Sequence, residues 1–331
     1  MFALMLLACR VELGAPGPEA QSAGDTTEVW VYTSMYEEVI AALEPEIKAS
    51  FPQLNVRWYQ AGSEKVAQRA EAEWEAGSGQ ACLIMTSDPF WYADLAARGR
   101  LRRYVPPEAL GMDRSWVAAT HSTARLSVMV LAVNESLVPE AERPSSFREL
   151  ADERFRDRVS MPDPLSSGTA FTTLAFLQSA YGWDFVQALR ANGLVAAGGN
   201  SSVLQRVESG ERPIGVLLLE NVLKARSKGS PILPIVPSDG AVAIPGPVAI
   251  TADCAHPLEA QALADWMLEP RAQQAIVGGF MHSPFPDQAP PSGGPGLESL
   301  NLLPWTAEFT AAVSGDAAAI KERYARIAAG P

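Results

Sequence analysis

The chain has 331 residues, enough for two lobes of ordinary domain size around a sizeable core. Hydrophobic residues make up 47% and the formal net charge is −12, from 38 acidic against 26 basic residues, a balance suited to a soluble globular protein. The lack of any Lys/Arg-rich run argues against nucleic acid as a partner, and no apolar stretch reaches bilayer-spanning length. With so acidic a balance, a bound anion has to be held by local dipoles and not by the global field.

In chain order, the first signal is the apolar run Met1–Arg10, which ends in Leu6-Leu7-Ala8-Cys9. Small residues before a cleavage point suit a signal peptidase. The tetrapeptide resembles a bacterial lipoprotein box, with Cys9 as the lipid-attachment residue; a frayed apolar N-terminus is the plainer reading. The run is short and lacks a basic leader, as it would if translation began upstream of Met1. Residues 10–26, rich in Gly, Pro, Ala, Ser and Glu, read as a flexible tether.

Strands and helices then alternate. Glu28–Thr33 reads as a strand, and Tyr36–Ser50 as an amphipathic helix with Val39, Ile40, Leu43 and Ile47 on one face. A strand at Asn55–Tyr59, a helix at Ser63–Glu75 opened by Gly62-Ser63, a strand at Ala81–Met85 and a helix at Pro89–Arg98 follow. This βαβαβα order predicts a mostly parallel sheet covered by helices. Val128–Val133 is a continuous apolar strand, as expected when both faces are buried. Further strands are expected at Val159–Met161, Leu194–Ala196 and Ile214–Leu219, and helices at Phe171–Tyr181, Phe185–Asn192 and Val203–Ser209. Pro245–Ile250 is a second apolar crossing. Helices follow at Pro257–Leu268 and from Pro270, then a Pro/Ser/Gly-rich surface excursion over 281–304. A last helix spans Asp316–Ala328 with Asp316 at its N-cap.

Cys82 and Cys254 have no metal-ligand spacing. Cys82 lies in an apolar strand, so a buried free thiol is the default; an oxidising compartment also permits a Cys82–Cys254 disulfide. His121, His256 and His282 are scattered and form no metal constellation, which favours surface or structural roles.

The most informative stretch is Met161–Phe171, a strand end, a Ser/Gly/Thr turn and a helix start capped by Ser166 and Ser167. From Ser166 to Thr173 there is no acidic side chain, although acids are favoured in first turns. A helix start with free N–H groups, hydroxyls and no carboxylate is suited to an external anion. Gly198-Gly199-Asn200-Ser201-Ser202-Val203 opens another helix in the same way. Each of Ser166, Ser167, Thr169, Asn200, Ser201 and Ser202 can be a cap or a ligand contact. Ser34, Met35 and Tyr36 begin the first helix, where Glu37 and Glu38 already answer the dipole. Thr86, Ser87 and Asp88 follow the third strand; Asp88 is suited to cap the Pro89 helix, and the strand-end position opens Ser87 and Asp88 to a cleft. Trp91 and Tyr92 read as core packing. Glu220, directly after an apolar strand, would be poorly solvated unless paired; it can accept a ligand ammonium or pair with Lys224 one turn on.

Several segments in fixed order carry a family resemblance: Val31–Tyr36, Met85–Tyr92, Met161–Ala170, Gly199–Ser202, Pro245–Ile250 and His256–Ala260. Over 28–328 the chain resembles a bacterial extracellular solute-binding protein of an ABC importer, in the branch of ferric-ion, polyamine, thiamine and phosphonate or organophosphate binders. The resemblance implies an α/β two-lobe periplasmic-binding-protein fold of type II, with a central ligand cleft and two hinge strands. Residues 27–127 plus 250–331 would form lobe 1 and 128–249 lobe 2, with crossings near 126–134 and 245–251. It implies a monomer, not an enzyme, at the periplasm or the outer face of a membrane, with ABC permease subunits as partners and no cofactor.

Departures from the ferric pattern redirect the ligand. Glu220-Asn221 stands where ferric binders place adjacent tyrosines, and Met35 stands where many carry His. Ferric iron needs several hard oxygens, whereas Met is a soft thioether. The anion half is retained: the counterpart of Ser167-Gly168-Thr169-Ala170 holds a companion phosphate or carbonate in ferric binders, and Asn200 matches an anion contact. The expected solute is therefore a small phosphonate or organophosphate, its head at Ser167–Ala170 and Asn200–Ser202 and its tail toward Glu220, Ser34, Ser87 and Asp88. The same-fold alternative is a metal receptor using Asp88, Glu220 and Tyr36 with a bound anion. An enzyme on a two-lobe fold is the alternative of another class, though no Gly-x-Ser-x-Gly, His-Glu-x-x-His or phosphate-loop motif is present.

Overall fold

A computed structural model describes residues 26–330. Cys9 and nearly all of the tether lie outside the described residues. None of the described helices is long and apolar enough to cross a membrane.

Chain order begins with strand β1 (Thr27–Thr33), helix α1 (Glu37–Ser50), β2 (Leu54–Gln60), α2 (Ser63–Glu75), β3 (Ala81–Met85) and α3 (Pro89–Ala97). The long β4 (His121–Asn134) leads to β5 (Val159–Met161), α4 (Gly168–Ala191), β6 (Val195–Ala196), α5 (Asn200–Ser209), β7 (Ile214–Leu218) and α6 (Leu219–Ser227). Then come β8 (Ile232–Ile235), β9 (Val242–Ile250), α7 (Pro257–Trp266), α8 (Pro270–Gly278) and α9 (Ala307–Ala329).

The strands form one sheet in the order β2-β1-β3-β9-β4-β7-β5-β6, with β8 on β4. β1 is parallel to β2 and β3. β7, β5 and β6 are parallel to one another. Between these two groups run β4 and β9, paired antiparallel over His121–Met129 and Val242–Ala249. Beyond Met129, β4 exchanges β9 for β8 on one edge and pairs with β7 on the other. Parallel strands end on the same side of a sheet, so the loops after β1, β2 and β3 converge, as do those after β5, β6 and β7. Ligands in open α/β sheets sit at such carboxyl ends.

Each lobe packs its own core. Val31, Leu43, Leu83, Leu263 and Trp266 anchor one side of the β1–β3 group, and Tyr32, Val66, Ile84 and Tyr92 the other. Met129, Phe147, Phe176, Ile214 and Val216 anchor the second lobe, with Val203, Val207 and Leu217 on its opposite face. α9 lies across both: Val313, Ile320 and Tyr324 pack with Phe90 of α3 and with Phe171 and Leu174 of α4.

Several expectations need correction. Cys82 and Cys254 are joined in a disulfide, with Cα atoms 4.5 Å apart, so Cys82 is not a free thiol. α9 begins at Ala307 under a Thr306 cap, whose side chain accepts from Phe309 N, and not at Asp316. Residues 281–304 are only partly a surface excursion. Met281, His282 and Ser283 are buried, and the backbone of His282 exchanges hydrogen bonds of 2.8 and 2.9 Å with Leu126 of β4. β4 begins at His121, seven residues before the expected Val128, because its first half pairs with β9. β8 had no separate signal. The division of 168–191 holds: Gly182 interrupts α4 at φ 79°, a conformation open to Gly without a Cβ penalty.

Candidate functional site

Six strand ends deliver six loops to one cavity of about 240 Å³ between the lobes. Its wall includes Ser34, Tyr36, Ser87, Ser166, Ser167, Gly168, Thr169, Asn200, Ser201 and Glu220 from the sequence-derived set. Met35, Asp88, Ala170 and Ser202 stand beside it. Met35 is buried in the core of the first lobe, Ala170 is packed inside α4, and Ser202 covers Gly198, which has φ 70°.

The second lobe brings its two acid-free helix starts into contact. Ser167 caps α4, its Oγ accepting from Ala170 N at 3.4 Å and lying 3.1 Å from Thr169 Oγ1. Asn200 Nδ2, in the first turn of α5, donates to Thr169 Oγ1 at 3.1 Å. Asn200 Oδ1 is buried without a partner. No side chain caps α5, so its first backbone N–H groups remain open at the positive end of the helix dipole.

Gly168 marks how closely the lobes meet. A Cβ placed there would lie 2.9 Å from the Ser87 carbonyl oxygen and 2.9 Å from Asp88 Cβ, so only Gly lets α4 approach the loop after β3. Other bonds also span the lobes. Tyr36 OH donates to Asn221 Oδ1 at 2.9 Å and Lys224 pairs with Glu38; Lys321 of α9, the helix that lies across both lobes, pairs with Glu64 of α2 at 2.6 Å. Burial raises the Tyr36 phenol well above its ordinary range, so it stands protonated and donating.

Asp88 serves its own helix. It accepts from Trp91 N at 3.3 Å, with Pro89 in the first turn, the arrangement favoured at helix starts. Burial pushes its carboxyl up to about 6, partly offset by the charge of Lys321.

The residue that sequence reasoning missed is Arg125. It is 2% exposed, on β4, with its guanidinium at the cavity. Nη1 donates to Ser87 Oγ at 2.8 Å and Nη2 to Ser34 Oγ at 3.3 Å, while Nε has no partner. Burial lowers its pKa from the usual value, but a guanidinium stays charged at neutral pH. Two local features of the sheet make room for it. β4 has a register irregularity between Thr123 and Arg125. Its partner across the ladder is Gly246, where a Cβ would lie 2.8 Å from Arg125 Cγ and Cζ. Pro245 and Pro247 flank that Gly and donate no ladder bonds. The expectation of donors without a fixed charge is therefore corrected: the cavity holds a buried cation. The available signal was Arg125 itself, the one charge in Ser122–Asn134, a run otherwise suited to a fully buried strand. Gln60, Ser63, Ser127 and Met281 also line the cavity without having been singled out.

Glu220, in the first turn of α6, is 2% exposed. Ser127 and the backbone N–H groups of Val128 and Glu220 face its carboxyl, yet neither oxygen completes a hydrogen bond of good geometry. Burial pushes it up to about 7 against these groups and the charge of Arg125. Lys224 reaches across to Glu38 and not back to Glu220. Among the described residues no three or more His, Cys, Asp or Glu side chains gather as a metal site.

Comparison with known proteins agrees with this architecture. The sequence profile of the bacterial extracellular solute-binding protein family matches residues 116–308. Iron-bound HitA from Pseudomonas aeruginosa superposes with a TM-score of 0.81 at 16% identity, covering 91% of this chain and 100% of that one. The periplasmic binding protein AfuA from Actinobacillus pleuropneumoniae, with fructose-6-phosphate bound, gives 0.80 at 19% identity, covering 92% and 99%. These likenesses establish the expected two-lobe type II α/β fold. A Haemophilus influenzae protein of uncharacterised function is 28% identical over 137 residues, and the match spans 40% of each chain.

Proposed function

This chain belongs to the bacterial extracellular solute-binding protein family, a family of binding proteins and not of enzymes, and from that premise we propose that it captures a small organic phosphate or phosphonate and presents it to an ABC permease. One observation carries this reading: the Arg125 guanidinium is buried at the cavity, hydrogen-bonded to two serine hydroxyls, facing two helix starts that carry no acid. A buried cation that no carboxylate contacts is costly, and Glu220 in the same cavity answers Arg125 only from a distance. A tetrahedral oxyanion would supply that charge and accept from Arg125, from Ser and Thr hydroxyls and from the open N–H groups of α4 and α5. The cavity lies at the small end for a ligand site, which suits a compact solute. Such a ligand bridges the lobes and favours the closed arrangement by contacts the open one lacks. Attachment through Cys9 would hold the receptor at the outer face of the membrane, near its permease.

The metal-receptor alternative has less support. Asp88 is turned to its helix, and the Tyr36 phenol is protonated and engaged with Asn221. Thermal shift and calorimetric titration against phosphate monoesters, phosphonates and Fe(III) test the assignment. Stabilisation by organic phosphates or phosphonates is expected; stabilisation by Fe(III) alone would overturn it.

A further inference from the structure

The anion reading leaves Glu220 unexplained. Its carboxyl lines the same cavity, is all but fully buried, and accepts no hydrogen bond of good geometry. A carboxylate buried this deeply is costly, and the start of α6 and the Arg125 charge answer it only in part. The nearby charged and phenolic donors are committed elsewhere, Arg125 to Ser87 and Ser34, Lys224 to Glu38 and the Tyr36 hydroxyl to Asn221, while Ser127 and the N–H groups of Val128 and Glu220 face the carboxyl without completing a bond of good geometry. An oxyanion at Arg125 and the helix starts would satisfy the cation and leave the acid as it was.

Resting on that reading and deepening it, we propose that the solute is a small zwitterion whose protonated amine is received by Glu220 while its oxyanion is received by Arg125 and the α4 and α5 starts. The chemistry of the two oxygens decides between donors. An ammonium brings three N–H donors and a compensating charge. A hydroxyl brings one donor and no charge, leaving the second oxygen and the buried charge unanswered. A second anionic group would meet Glu220 with repulsion. With Arg125 and Glu220 both ionised, a ligand of opposite arrangement sets its oxyanion against the guanidinium and its ammonium against the carboxylate, so that each buried charge meets its opposite. Both poles have to fit within about 240 Å³, so the amine and the oxyanion lie a few bonds apart, as in a phosphorylated or phosphonylated short-chain amine.

The test compares three esters of similar size by calorimetry: ethyl phosphate, 2-hydroxyethyl phosphate and O-phosphoethanolamine. The wild-type chain is expected to bind O-phosphoethanolamine about tenfold or more tighter than either of the others. In Glu220→Gln that preference collapses. The zwitterion assignment is overturned, with the anion reading intact, if ethyl or hydroxyethyl phosphate binds as well as the amine, or if Glu220→Gln keeps the preference. If none of the three binds, both readings fall. Should the variant not fold, the wild-type ranking of the three esters decides alone.

Discussion

The two walls of the cleft are built from the same device, a helix start after a strand end, and they use it in opposite ways. On the first lobe α1 opens with Glu37 and Glu38, α2 carries Glu64 in its first turn, and α3 is capped by Asp88. On the second lobe α4 and α5 open with no acid. Carboxylates on the first wall already answer the helix dipoles, whereas the second wall carries none in the first turns of α4 and α5, which leaves their N–H groups and hydroxyls open to the proposed solute. Arg125 stands between them on a strand shared by both lobes. On the proposed reading, the orientation of a bound anion would follow from where the chain omits acids as much as from where it places a cation. α6 adds a counterpoint, since Glu220 returns an acid to the second wall beside the acid-free helix starts.

Removing the cation is the most direct way to break this contrast. Arg125→Met keeps the length of the side chain and deletes its charge and donors. Affinity for a phosphate monoester or phosphonate is expected to fall by about 2–5 kcal/mol, the range for truncating one partner of a buried, hydrogen-bonded charge pair. Stability of the empty protein should change little, because the variant removes a buried charge that no carboxylate contacts while depriving Glu220 of a favourable neighbour. Calorimetry with a thermal melt reads both quantities. Undiminished affinity would mean that the helix starts suffice and the arginine is structural.

That arginine also marks the limit of what the sequence discloses. The helix starts at Ser167–Ala170 and Asn200–Ser202 were legible because their signals are local: a cap, a turn and the lack of an acid within a few residues. The alternation of strands and helices was legible for the same reason. Arg125 was not, because the first half of β4 is a strand only through its pairing with β9, more than a hundred residues later. The same distance hides the disulfide partner, 172 residues away, and the burial of Met281–Ser283, which depends on Leu126 as a backbone partner. Glu220 was legible as an acid in need of a partner, but its choice of partner was not. Lys224 is close in sequence, and the fold commits it to Glu38 on the other lobe.

Asp88 tests whether the acids of the first wall have a cost. Its carboxyl is pushed up to about 6 from an ordinary 3.8 by burial. With the folded value above the unfolded one, its contribution to stability is fully present below pH 3.8 and is lost as pH rises through 6. Two pKa units correspond to about 3 kcal/mol. Lys321 and Glu64 are the charged groups that face it from α9 and α2, and they are paired with each other. Asp88→Asn keeps an effective cap and removes the buried charge. Chemical denaturation should find the variant more stable than wild type at pH 8 and similar at pH 4. An unchanged pH slope would show that Asp88 titrates as an exposed aspartate.

The smallest expected effect is also the sharpest on the contrast itself, because it converts one wall to the pattern of the other. Ser201 sits exposed in the first turn of α5, at the rim of the cavity and with no acid in that turn. Ser201→Asp gives α5 the kind of start that α1 and α2 already have. A carboxylate in the first turn stabilises a helix by about 0.3–1 kcal/mol, so the empty protein should melt slightly higher. The same charge at the rim opposes an incoming oxyanion, so affinity should fall, and added salt should recover part of the loss by screening an exposed charge. Stability and binding then move in opposite directions from one substitution. If both rose together, the acid-free start of α5 would be incidental to binding, and the anion would have to be held by Arg125 and α4 alone.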